Sequence, residues 1–460
     1  LKKTLFAVAL ASSMLAISSR AQEPAAPVAP VAATAPAPEF LKQETIITLG
    51  AAVKEVQAAL AKQRTPGKRL DSYTTFQFSS ELQPKLKEIF GTERPFPMER
   101  VPGGAKGQVN YVAKLAPYTY KQDNGTDFTW TELVSKTSVD KSGRTLNTSV
   151  AWPSLVVSRV GGSFSMLDMS MTSKQVTGAD NVGYGNAIVK IGSVVVRDMS
   201  VAGADAREAI RFEDIEAKSA VRRRGAMAEI AYSSSIKAIV FGNDWVERSN
   251  FAFRLTNVPA KALADMDQQW RALQDRKLEP ADQHKQIMKT LQDFGKRIAI
   301  AGATLFIDDI SVGYRGNVAS LKGRIGFQKV AEADFKDLTA LLKKVVARFE
   351  VRVPVALVHD VSRTFAVKAV NPSAPDAAKQ IDTATEALSS MVVGKTVSGG
   401  YGVVEKNELR TLIEFKGGTL LVNGKVIDIG EQLKTLSKLA QGQAGPVPAP
   451  VPVPVPVPAQ

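Results

Sequence analysis

One short segment brings together residue types used in nucleophilic catalysis, His359-Asp360-Val361-Ser362. An imidazole, a carboxylate and a hydroxyl activate one another only when they line up in space beside an oxyanion hole. Near-adjacent positions at the end of a strand-like run do not provide that alignment, so the segment reads as a strand-end turn. The remaining histidine, His284, sits among Asp282, Gln283 and Lys285 and reads as an exposed helix residue. With 2 His and 0 Cys in the chain, multi-His metal sites, thiolate zinc sites, iron–sulfur clusters and Cys nucleophiles are excluded, as are disulfides and Cys-linked lipid anchors. Gly183-Tyr184-Gly185 lacks the third glycine of a dinucleotide loop, and no Walker-type phosphate loop is recognised. A carboxylate-dependent hydrolase stays formally open, but nothing among the 45 acids singles out a pair. No catalytic, cofactor-binding or metal-binding residue is assigned, and no cofactor is expected.

Carboxylates do recur in a pattern. The motif apolar-x-Asp-apolar appears around Asp168, Asp198, Asp214 and Asp309, three times with Ser after the second apolar residue. Irregular spacing rules out a solenoid. It suits similar strands recurring in one sheet, with Asp on a polar face or at a bulge. A calcium loop would need Gly-rich ligand spacing that these segments lack.

The elements that would carry these residues are mostly strands. Phe349, Val351, Val353, Val355 and Leu357 alternate with Glu350, Arg352, Pro354, Ala356 and Val358; Phe251, Phe253 and Leu255 alternate with Ala252, Arg254 and Thr256. Leu321, Gly323, Ile325 and Phe327 keep the same period of two, the signature of a half-buried strand. Pro354 on an outward position hints at an edge or a bulge. Glu408 to Phe415, the turn Lys416-Gly417-Gly418, Thr419 to Val422, the turn Asn423-Gly424 and Lys425 to Ile429 read as a meander with a type I′ turn.

Helices interrupt the strands. Pro259 and Pro280 open two that form an αα-hairpin, with Leu263, Met266, Trp270 and Leu273 on one stripe and Ile287, Leu291, Phe294 and Ile298 on the other. A third runs from about Ala331 to Arg348, basic on its outward side; such a helix can lie on a membrane, but covering a sheet is the reading taken. Others are expected near Ile46 to Lys62, Asp376 to Met391 and Glu431 to Ala440.

The expected fold class is α+β: an extensive, twisted, meander-like antiparallel β-sheet curving over amphipathic helices, in two lobes. The domain reading is a signal peptide at 1–21, a Pro/Ala-rich linker at 22–39, an N-terminal α+β lobe at 40–250, a C-terminal α+β lobe at 251–441 and a Pro/Val-rich disordered tail at 442–460. Lys2 and Lys3, the apolar run Leu5 to Ile17, and Ser19 and Ala21 predict the export signal, whose retention as an anchor is the alternative. Pro24 to Pro38 and Pro446 to Pro458 favour extended polyproline II spacers.

The 460 residues carry 59 Lys+Arg against 45 Asp+Glu, a net charge of +14 that falls to +11 without Lys2, Lys3 and Arg20. A basic exported protein is drawn to anionic lipid head groups and envelope polymers. The tightest basic cluster, Arg222-Arg223-Arg224, reads as a solvated strand end. Aromatic-interleaved basic patches are missing, so nucleic acid is not an expected partner.

The order of three segments carries a resemblance: Asn250 to Trp270 (NFAFRLTNVPAKALADMDQQW), Gly302 to Phe327 (GATLFIDDISVGYRGNVASLKGRIGF) and Gly399 to Ile429 (GGYGVVEKNELRTLIEFKGGTLLVNGKVIDI). In that order they resemble the YdgA-like family of bacterial envelope proteins, over roughly residues 160–430. The resemblance implies a periplasmic or membrane-associated protein with extensive antiparallel sheet and interleaved helices, and it transfers no catalytic residue. The expectation is a non-enzymatic exported envelope protein that binds an apolar or amphipathic, lipid-like ligand or a partner along its sheet. The alternative is a periplasmic scaffold or assembly factor contacting envelope proteins or peptidoglycan, with peripheral association to an anionic membrane surface; the hydrolase comes third. Oligomeric state does not follow from these residues.

Overall fold

Strands joined by tight turns fold back on the strand just made, so their order in the sheet follows the sequence. The computed structural model describes residues 41–428 apart from 62, 64, 105–106, 199–206, 243 and 276–279. The expected export signal, both proline-rich segments, the helix near 431–440 and the end of the Asp198 motif lie outside the described residues.

Three helices come first: α1 (Gln43–Ala61), α2 (Pro66–Thr74) and α3 (Leu82–Phe90). Pro66 opens α2 behind Thr65, whose side chain accepts from the Lys68 N–H, a pairing of cap and first-turn proline that satisfies the orphan donors. Strands β1 (Met98–Val101), β2 (Val109–Leu115), β3 (Tyr118–Lys121), β4 (Asp127–Trp130), β5 (Leu133–Val139), β6 (Thr145–Arg159), β7 (Gly162–Thr177), β8 (Gly183–Asp198), β9 (Arg207–Arg224), β10 (Met227–Phe241), β11 (Asp244–Val246) and β12 (Arg248–Pro259) follow. The expected αα-hairpin is present as α4 (Ala260–Asp275) and α5 (Pro280–Ile300). After β13 (Thr304–Tyr314) and β14 (Asn317–Phe327) come the short α6 (Leu338–Lys344), β15 (Val345–Pro354), α7 (Val355–Ala369) and α8 (Ala377–Ser398). The chain closes with β16 (Val403–Glu405), β17 (Glu408–Lys416), β18 (Thr419–Val422) and β19 (Lys425–Ile427).

Among the described residues all nineteen strands belong to one open sheet, and every pairing is antiparallel. The main path runs β1–β2–β5–β6–β7–β8–β9–β10–β12–β13–β14–β15–β17–β18–β19. The β3–β4 hairpin pairs with the second half of β6, while β11 and β16 extend the flanks of β10 and β17. The α+β expectation therefore holds. So does the closing meander, where Asn423 and Gly424 take φ of 49° and 80°, as a type I′ turn requires.

Two expectations change. The helix expected from Ala331 to Arg348 is a 3₁₀ turn at Glu332–Lys336 and the short α6, after which the chain is a strand. The β-branched pair Val345-Val346 lies opposite Phe327 and Gly326, and a ladder partner outweighs a modest helical preference. The strand expected to run to Leu357 stops at Pro354, which pairs with Glu408 at the last rung of an interior strand. Proline is tolerated there because a terminal rung can spare its N–H, and α7 begins at the next residue.

Three adjacent strands change face along one transverse row, which the pairing continues into the next two. Buried positions run Val150 and Trp152, then Leu155 and Val157 in β6; Phe164 and Met166, then Met169 and Met171 in β7; Ile191, then Val194 in β8. Each switch needs one extra residue. By register these are Pro153, Asp168 and Gly192, followed by Asp214 in β9 and Lys237 in β10, each lying between paired positions on both sides. Asp168 and Asp214 take φ of 55° and 47°, a left-handed conformation that Asp tolerates better than most residues. Because all five strands carry the extra residue in the same row, register is unchanged beyond it. In β13 the Asp308–Asp309 pair fills a register shift between Ile307 and Ile310. Three of the four recurring Asp motifs thus mark backbone irregularities, as the bulge reading expected.

Three apolar cores hold the chain. One packs α1–α3 on β1 and β2, with Leu86 fully buried and Tyr73, Tyr111 and Val139 around it. A second joins α3 and the β3–β4 hairpin to β6–β8 through Phe128, Trp130, Val157 and Met166. The third sets α4 and α5 against β10 and β12.

Candidate functional site

From β9 to β19 one face of the sheet is apolar in almost every strand. Register places Val221, Ile230, Leu255, Leu305, Ile325, Ala347, Phe415, Leu420 and Ile427 opposite one another, strand by strand. At about 4.8 Å per strand this row is roughly 38 Å long. A second row holds Tyr232, Phe253, Ile307, Gly323, Phe349 and Ile413, and a third holds Phe251, Ile310, Leu321 and Val351. Gly323 matters in the second row. A Cβ there would overlap the Phe349 ring and come within 2.6 Å of the Arg348 carbonyl, so the glycine lets the aromatic ring lie across the neighbouring strand.

Helices cover the ends of this face. At one end α4 and α5 close over Val258, which is fully buried, with Leu255, Leu263, Met266 and Phe294 around it. An ion pair between Arg297 and Asp265 at 2.5 Å ties the two helices together. Beside them Asp180 accepts from the Tyr184 hydroxyl at 2.7 Å and from Arg223 at 2.9 Å. Burial and then the bond to Asp180 push the Tyr184 phenol up to about 12. Burial acts to raise Asp180 as well, but donors from Tyr184, Val182 and Arg223 outweigh it and hold the carboxyl below its ordinary value. At the other end α7 stands on the strand tips. The Tyr314 hydroxyl donates to Asp244 at 3.1 Å and lies 3.4 Å from the Thr364 hydroxyl, while Asn317 donates to Asp360 at 3.2 Å.

Between these ends no helix among the described residues covers the face. Phe253, Ile307, Ile310, Leu321, Phe349, Val351 and Ile413 are all only half-buried, and Tyr232 and Phe251 are 46% and 41% exposed. The opposite face carries charge-paired side chains: Lys237–Asp214, Arg254–Asp308, Arg348–Glu414 and Arg410–Glu408. That face is a solvated exterior. The apolar face is by contrast a surface that water wets poorly.

The residues singled out for chemistry are scattered. His359, Asp360 and Ser362 lie inside α7 rather than in a turn. Successive helical positions point in different directions: His359 faces Glu386 at 3.7 Å, Asp360 bonds Asn317, and Ser362 is buried. His284 is exposed on α5. Gly183 and Gly185 pack against β7. Gly394-Lys395-Thr396, a match to the end of a phosphate-loop pattern that the sequence reading passed over, lies within α8 with no loop before it. Arg222 and Arg224 pair with Glu229 at the end of β9, and Arg223 pairs with Asp180, the strand-end role expected. Among the described residues no group of three or more His, Cys, Asp or Glu is placed to hold a metal, and no helix is long and apolar enough to cross a membrane.

What sequence reasoning missed is the alignment of the apolar strands into one face. The alternation within each strand signalled it, but the shared rows did not follow from any single strand.

Residues 70–430 match the family described as bacterial protein of unknown function (DUF945), and the chain belongs to it. No curated protein and no solved structure matches the chain.

Proposed function

We propose that the uncovered face between the α4–α5 hairpin and α7 binds a lipid-like amphiphile, its acyl part laid across the strands and its anionic head left in water. The single observation behind this reading is the run of half-buried Phe253, Ile307, Phe349 and Ile413, with Phe251 41% exposed beside it. An apolar face of this extent gains about 25 cal/mol for each Å² removed from water. The net charge, +14 for the full sequence and +11 without Lys2, Lys3 and Arg20, favours an anionic head over a cationic one. The role proposed is binding or carriage without catalysis, in an exported protein of the cell envelope with peripheral contact to its membrane. Within the bacterial family, the order of the Asn250–Trp270, Gly302–Phe327 and Gly399–Ile429 segments supports a YdgA-like assignment.

Native mass spectrometry of gently purified protein, with an organic extract analysed alongside, tests this reading. A stoichiometric amphiphile is expected, absent from a similarly basic exported control and lost in the double variant Phe251→Asp/Ile310→Asp. A clean apo mass that stays unchanged after incubation with phosphatidylglycerol vesicles would overturn it and move the role to a scaffold contacting envelope proteins or peptidoglycan.

A further inference from the structure

The polar face of the sheet carries its own concavity, far from the apolar trough. Across β2, β5, β6, β7 and β8 the residues Asn110, Ser138, Asn147, Lys174 and Asn186 stand opposite one another in one row. The next row places Val112, Lys136, Ser149 and Thr172 beside them. The two rows line a groove of about 700 Å³. Lys136, Asn147, Ser149, Thr172, Lys174 and Asn186 are exposed.

The chemistry of this groove differs from the rest of the polar face. Several basic side chains elsewhere on this face meet acids, as in Lys190–Glu216, Lys237–Asp214 and Arg254–Asp308. The groove is lined by amides, hydroxyls, two lysines and, at one end, Val101 and Val112, and among the described residues no Asp or Glu contributes to it. Neither Lys136 nor Lys174 meets a carboxylate among the described residues. Register sets them two strands and one row apart, about 12 Å between Cα atoms. Internal bonding uses little of the capacity: Asn147 reaches the Ser138 hydroxyl only at 3.4 Å, and the amide nitrogen of Asn110 is engaged with the Gly103 carbonyl.

Side-chain amides and hydroxyls donate and accept at once, which suits a ligand that presents many hydroxyls in a line. Two ammonium groups that no carboxylate pairs, the nearest acid in the row being Glu99 beyond Val112, select negative charge at spaced positions. Among the described residues no aromatic ring other than Tyr111, which is buried toward the other face, lines the groove, so base stacking has no platform there. We infer that this groove binds an acidic sugar chain, with carboxylate or phosphate groups held by Lys136 and Lys174 and ring hydroxyls by Asn147, Asn186 and their neighbours. The site is independent of the amphiphile trough.

Isothermal titration of the whole protein at 150 mM salt tests it, using an oligogalacturonate for the carboxylate arm, a phosphomannan oligosaccharide for the phosphate arm and a maltooligosaccharide as the neutral control. Binding of at least one acidic probe is expected, at least tenfold tighter than the neutral one. Lys136→Gln/Lys174→Gln should weaken it at least tenfold, and so should Asn147→Asp/Asn186→Asp. Lys368→Gln/Lys379→Gln, which removes the same charge from α7 and α8, should leave it unchanged. Whichever acidic arm binds identifies the anionic group. All these positions are exposed, and an unchanged unfolding temperature checks that each variant folds. Failure of both acidic probes, equal binding of the neutral one, or an equal loss in the α7–α8 variant would overturn the assignment.

Discussion

Asp168 in β7 and Asp214 in β9 flank Gly192 of the intervening strand in a single transverse row, and both take left-handed backbone angles, 55° and 47°. A Cβ on Gly192 would lie 3.0 Å from the Asp168 Cβ. The row turns the buried side chains of β6, β7 and β8 onto a common face on both of its sides.

If backbone conformation is what Asp168 provides, its charge is dispensable and its shape is not. Asp168→Gly and Asp168→Asn should stay within about 1 kcal/mol of the parent, whereas Asp168→Val, β-branched at positive φ, should lose about 2 kcal/mol or more. Gly192→Val should lose about 1–3 kcal/mol through crowding. Urea unfolding followed by circular dichroism measures each. Equal losses in the Gly and Val variants would show that the carboxylate itself is needed.

The trough and the cores should answer truncation differently. Leu133 is 2% exposed, so Leu133→Ala should lose about 2–5 kcal/mol. Phe251, 41% exposed, sits where no described element covers it, and Phe251→Ala should lose about 1 kcal/mol, below the usual range for a buried Phe. A loss at Phe251 as large as that at Leu133 would mean that the face is covered in solution.

Acid should loosen the α4–α5 hairpin. The hydrogen bond from Arg297, set against burial and aided by Lys261, holds Asp265 below its ordinary pKa. A depressed folded-state pKa contributes stability above the unfolded value, near 4, and loses it as pH falls through the lower folded value. The pair is partly exposed, so Asp265→Asn should cost no more than about 1 kcal/mol at neutral pH. Thermal unfolding from pH 7 to 2 should show the gap between parent and variant closing only below about pH 4.

Three tyrosines should resist alkali. Burial, followed for two of them by a bond to a carboxylate, pushes Tyr73, Tyr111 and Tyr184 up to about 12. A raised phenol contributes stability that is fully present below its unfolded value near 10 and lost as pH rises through about 12. Absorbance titration should show a late phenolate fraction, and Asp180→Asn should move the Tyr184 share to lower pH. Uniform titration near 10 would contradict the buried geometry.

Much of the scaffold is written locally in the chain. Asn423-Gly424 fixes a type I′ turn because both positions accept positive φ, and Pro280 together with an apolar stripe fixes a helix start. Alternation at Phe251–Leu255 and Leu321–Phe327 fixes two half-buried strands. Such signals need no information beyond a few neighbouring residues. The Val355–Ala369 run shows the limit. Its apolar residues extend the preceding alternation, yet the ladder partner β17 begins at Glu408 opposite Pro354, and past that rung the chain satisfies its own backbone bonds as α7.

Placement of the functional surfaces was left to the tertiary structure. The recurring Asp motif could be seen as a pattern, but its meaning depends on Pro153, Asp168, Gly192, Asp214 and Lys237 meeting in one row. Strand register, which sums pairings between segments far apart in the chain, decides that. The same summation joins Phe253, Ile307 and Phe349 into one face, and the positions of α5 and α7 leave it open. Lys136 and Lys174 likewise share a groove only because β6 lies between their strands. A sequence sets which face of each strand is apolar; only the packed sheet decides which of those faces is covered.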